Sequence, residues 1–256
     1  MKPIWMLCET AIRLGLDSRF WEKDQAYSTP PGCVFLRNSE RLYGLWFITL
    51  NAMLSGGKIE SDYRQAFNDT ETGPPKTFQG KAPIDSFETG SEATLVMLVA
   101  ALEAYLRDVL AFAARRDPSI MKQYSVGISA NTDQLMTYQS IDEFRDTLPL
   151  EWARVWLDRR KSPKDWIGGL RKLGVDGIAE DAASRLNLVR GIRHVIVHSA
   201  GIVDRDFVRQ HPEAGRSIGD KIHVGDEGIR SAANSVFDLF APTEEHFAKA
   251  FVRKAV

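Results

Sequence analysis

Four side chains able to bind or move charge fall within nine residues of one apolar segment: Arg190, Arg193, His194 and His198 in "RLNLVRGIRHVIVHSAGIVDRDF", residues 185–207. An imidazole titrates near neutrality and can accept or donate a proton. A guanidinium can hold a phosphate through paired hydrogen bonds and offset charge that develops on it. Arg190, His194 and His198 are spaced by four, so on a helix they form one stripe. Arg193 and His198 are five apart, roughly 140° around an ideal helix. They converge only if the helix ends near His198 or if two copies of the segment meet. An ending is supplied by Gly201, a residue suited to the left-handed closing conformation, followed by Ile202 as its apolar contact.

The segment must face a core, since Leu186, Val189, Ile192 or Arg193, and Ile196 trace an apolar stripe. Helical periodicity dominates the rest of the chain, and the class is all-α. The clearest helix is residues 91–117, with Leu95, Val99, Leu102, Leu106, Val109 and Ala113 on one face. Thr89 with Glu92 reads as its capping box, and Pro118 follows its end. Ser140 with Glu143 opens a further helix that Pro149 interrupts before "LEWARVWLDRR". Ser162-Pro163 starts the next. After residues 180–198, two last helices are predicted, "EGIRSAANSVFDLF" and "EEHFAKAFVRK". "KIHV", residues 221–224, is the best of very few strand candidates. "SERLYGLWFITLNAML" predicts a helix stopping at Gly56-Gly57, and residues 69–90, rich in Pro, Gly, Thr and Asp, a linker or long loop. The expected organisation is an N-terminal helical region with its linker, 1–88, and a helical domain, 89–256.

Bulk properties exclude several classes. A net charge of −1 gives no global argument for nucleic acid, although residues 151–256 carry three more basic than acidic groups. Two cysteines, Cys8 and Cys33, argue against a disulfide framework. No signal peptide or stretch of transmembrane length is evident, so a cytoplasmic protein with no membrane partner is expected. Nucleotide-loop, dinucleotide and nucleophile-elbow motifs are absent.

The stretch "RHVIVH", an Arg followed by a polar residue, three more residues and a His, resembles the R-x(4–6)-H motif of the HEPN superfamily. "HSAGIVDRDF" is similar to the continuation found in many prokaryotic HEPN-like proteins, and "LVMLVAALEAYLRDVL", with Glu103, resembles the family's first long helix. The resemblance covers roughly residues 90–256. It implies a helical bundle that pairs as a homodimer, with two motifs facing one another. In active members it implies a metal-independent RNA endonuclease of toxin–antitoxin or defence systems, leaving a 2′,3′-cyclic phosphate. On that basis Arg193 is the phosphate clamp, His198 the acid or base, and His194 the polar second position. Glu103, Arg190, Ser199 and Asp204 are supporting residues. RNA is the implied partner, with an antitoxin or regulatory protein as a further one. No cofactor is implied.

Simpler readings stand beside this one. Arg193 and His198 can be a structural ion-pair residue and a helix-end histidine, and some HEPN domains only bind RNA, nucleotide or protein. Arg190 reads as an ion-pair residue with Glu103, and Glu103 has an alternative partner in Arg107. His194 and His198 match a two-ligand helical metal pattern with no third ligand nearby, so no metal is assigned. His211, His223 and His246 read as surface or loop residues. "DRRKSPK" with Arg171 and Lys172 reads as a solvated face, and Trp152, Trp156 and Trp166 as core rather than stacking platforms.

Overall fold

A computed structural model describes residues 29–39, 41–42, 83–124, 138 and 140–252. Most of the N-terminal region, with the end of its predicted helix at Gly56-Gly57, lies outside the described residues, as do residues 69–82 of the linker. The fold among the described residues is all-α. Residues 30–39 form α1, followed by α2 (Pro83–Arg116), the short α3 (Ser119–Gln123), α4 (Ile141–Asp158), α5 (Pro163–Lys172), α6 (Ala182–Ser199), α7 (Arg205–Gln210) and α8 (Asp226–Phe251). A single 3-10 turn, Pro212–Ala214, follows α7.

The centre is α2, against which α4, α6 and α8 all pack. Its predicted stripe is fully buried from Leu95 to Ala113, and Leu98, Tyr105 and Leu110 are buried as well. The stripe is wider than one helix–helix contact needs because α2 has neighbours on several sides. It also begins earlier than predicted. Helix starts at Pro83, so Thr89 and Glu92 sit inside it rather than capping it, and residues 83–90 are helix rather than linker.

Pro149 does not interrupt its helix, and Pro242 does not divide the last one. A proline inside a helix costs about 3 kcal/mol through a lost hydrogen bond and a steric clash. In α4 the same face over the next two turns buries Pro149 with Trp152 and Trp156, each aromatic worth ~2–3 kcal/mol of apolar burial, so packing outweighs the local cost. In α8 Pro242 is followed by Thr243 and Phe247 in the core. The predicted caps at the other starts are present: Ser140 Oγ accepts from Glu143 N at 3.1 Å, and Ser162 and Asp165 cap each other reciprocally.

The described part of the N-terminal region packs into the same core. Phe35 stacks on Phe240 at 4.2 Å between ring centroids and lies 5.3 Å from Tyr105. Below this cluster the buried Glu244 carboxylate accepts from Thr29 N (2.5 Å), Thr29 Oγ1 (2.8 Å) and the Tyr105 hydroxyl (3.0 Å). Burial first, then the neighbouring carboxylate, holds the Tyr105 phenol well above its ordinary range, so it remains the donor.

Candidate functional site

Helix α6 carries the motif. Its inner face buries Leu186, Val189 and Val195, with Ile192 and Ile196 packed beside them, which fixes the rotation of the helix. His194, Val197 and His198 are then turned to solvent, and Arg193 sits at the boundary. Arg193 has its Nε buried with no hydrogen-bond partner, and among the described residues its guanidinium makes no ion pair. His194 and His198 lie against each other, ring centroids 4.4 Å apart and planes tilted by 45°.

The helix ends where the sequence places the end, by a slightly different device. Ala200 takes the left-handed conformation (φ 49°) and Gly201 continues it (φ 79°), its N–H closing back on Val195 O at 3.1 Å. Ile202 is 42% exposed rather than seated as the closing apolar contact. Instead it bridges Lys221, in an antiparallel pairing that is all that residues 221–224 contribute by way of strand. The Lys221 ammonium donates to Ala200 O at 2.8 Å and lies 3.5 Å from Glu92. It thus supplies a cation at the helix C-terminus, where the dipole favours one. This long-range cap was not identified from sequence, since nothing local to "KIHV" points to residue 200.

The remaining candidates are placed as follows. Glu103 reaches Arg190, with Oε1 3.3 Å from Nε, rather than Arg107, which pairs with Asp108. Arg190 also donates to Lys161 O at 2.9 Å and lies over the Trp166 ring at 4.5 Å. It therefore clamps α6 to α2 and to the loop before α5, one turn below His194. Asp204 caps α7, accepting from Phe207 N at 2.8 Å, and Ser199 accepts from Ile202 N through its carbonyl. α6 ends at Ser199, one residue past His198, but stays helical through both residues, so Arg193 and His198 lie roughly 140° apart around its axis. Trp152, Trp156 and Trp166 are core residues.

His211 departs from its reading as a surface residue: it is only 3% exposed. Its ring lies against Phe207 and in a notch over α6 at Gly191, where a Cβ would collide with it; Glu213 stands 3.4 Å from Nδ1 but off-line for a hydrogen bond. His246 is half-buried on α8 beside Gly174, and burial pulls its imidazole below the usual value, with Asp176 acting the other way. His223 is exposed, as expected.

Arg190→Ala is expected to lower the thermal midpoint. The lost ion pair, backbone contact and ring contact together amount to about 1–2 kcal/mol, at roughly 2–4 °C per kcal/mol for a chain of this size. A thermal melt checks this, and an unchanged midpoint would remove the clamp.

No family model, curated protein or solved structure matches this chain.

Proposed function

We propose that the chain is a metal-independent RNA endonuclease of the HEPN type, acting as a homodimer in defence or growth arrest. The observation that carries this reading is the Arg193 guanidinium, which makes no ion pair among the described residues, on the same two turns of helix as two exposed imidazoles. A buried arginine is ordinarily paired; a guanidinium with no carboxylate partner among the described residues supports a role in holding an anion. The RNA phosphodiester supplies that anion together with its own nucleophile. His198 takes the proton from the 2′-OH, the 2′ oxygen bonds to phosphorus, and the P–O5′ bond breaks. A second imidazole protonates the departing oxygen, giving a 2′,3′-cyclic phosphate and a 5′-OH. Arg193 neutralises the charge on the phosphoryl oxygens. Because Arg193 and His198 diverge on one helix, a second copy of the chain across a two-fold axis supplies the complementary group.

Purified protein is expected to cut single-stranded RNA in EDTA, to leave DNA of the same sequence intact, and to yield cyclic-phosphate ends. Unpaired bases in loops are the expected targets. End-group analysis of a labelled oligonucleotide decides the matter. A Mg²⁺ requirement or 3′-OH ends would refute the mechanism, and RNA binding without cleavage would leave a binding module.

A further inference from the structure

We infer that His194 and His198 together form a two-imidazole site for a borderline transition cation such as Zn²⁺ or Ni²⁺. The two residues are four apart on a regular helix, so their rings project from one face of consecutive turns. Their ring centroids are 4.4 Å apart, close enough that small side-chain rotations bring one nitrogen from each within the ~2.0–2.1 Å that a zinc–imidazole bond requires. Both are exposed, and neither is held elsewhere by a hydrogen bond or ion pair among the described residues, so such rotations break no contact other than the one between the rings. The other histidines are placed differently: His211 is buried against Gly191 and His246 is half-buried on α8.

The chemistry of the pair selects the ion. Imidazole suits Zn²⁺, Ni²⁺ and Cu²⁺, whereas Mg²⁺ and Ca²⁺ take oxygen ligands. No group of three or more His, Cys, Asp or Glu able to hold a metal occurs among the described residues. The remaining coordination positions therefore belong to water, and the site is open and exchangeable rather than structural. Arg190 presents little opposing charge because Glu103 offsets it, while Arg193 beside His194, with no ion pair among the described residues, weakens cation binding. Bound metal occupies the lone pair that His198 needs as a base. On the nuclease reading, on which this consequence alone rests, the cation switches cleavage off and chelation restores it.

The test is calorimetric titration of Zn²⁺ into the metal-stripped full chain, with Mg²⁺ as comparison. One Zn²⁺ per chain and no Mg²⁺ is expected. Losing outer-shell support alone costs about 10–100-fold in metal affinity, so His194→Ala and His198→Ala should each weaken Zn²⁺ binding at least tenfold, and His223→Ala should leave it unchanged. Equal binding in the wild type and both variants, or no binding by the wild type, overturns the site. RNA cleavage with and without Zn²⁺ separates the two ideas. A chain that binds Zn²⁺ at the pair but never cuts RNA keeps the site and loses the nuclease. One that cuts RNA in EDTA and binds no Zn²⁺ by calorimetry keeps the nuclease and loses the site, and one that binds Zn²⁺ yet cuts RNA equally with it loses the switch.

Discussion

His198→Ala is expected to slow RNA cleavage by about 10²–10⁴-fold, the usual worth of a positioned proton-transfer group, while leaving the thermal midpoint within error of the wild type. The second half of that expectation follows from placement. His198 is exposed in the last turn of α6 and contacts His194 rather than the core. Surface substitutions of this kind usually change stability by under about 0.5 kcal/mol. The measurement pairs single-turnover cleavage with a melt. Full activity in the variant sinks the assignment of His198, and a chain that unfolds shows the residue to be structural.

Arg193→Ala is expected to cost about 10²–10³-fold in rate, or roughly 3–4 kcal/mol, as removal of a preorganised donor to a developing oxyanion does. Arg193→Lys should recover little, since an ammonium is a point charge and does not reproduce the planar fork that grips two phosphoryl oxygens. Here too the structure limits collateral damage. The Arg193 Nε makes no hydrogen bond, so its removal leaves no partner stranded. That sets it apart from Arg190, whose loss strands Glu103 and the carbonyl of Lys161. A lysine variant with wild-type kcat would mean that only charge is needed at position 193. An alanine variant with wild-type kcat would remove the residue from the mechanism.

The parts of the fold legible in the sequence are those set by local periodicity and local hydrogen bonding. The stripe from Leu95 to Ala113, the Ser140 and Ser162 caps, and the core face of α6 all follow from three- and four-residue spacing. The Arg190–Glu103 pair was legible as one of two options, and it is the Asp108 partner of Arg107 that leaves Glu103 to Arg190. Elements decided by distant packing were not. Pro149 and Pro242 are local breakers, overruled by aromatic burial that no window of sequence contains. The burial of His211 depends on a missing side chain twenty residues away at Gly191, and the Lys221 cap on a partner at Ala200. At the site, spacing alone placed the two imidazoles on one face. Whether Arg193 was paired depended on the neighbours of α6, and only the assembled bundle shows that it makes no ion pair among the described residues.

The Glu244 carboxylate that holds Thr29 joins positions 215 residues apart. On a ribosome adding about 5–20 residues per second, Thr29 is made on the order of 10–40 s before its partner exists. Throughout that interval Phe35 and Leu36 have neither Phe240 to pack on nor α8 to cover them, so this part of the core is the last to close. A premature stop anywhere before Phe240 removes both the ring on which Phe35 stacks and the carboxylate that holds Thr29, and leaves α1 its contact with Tyr105.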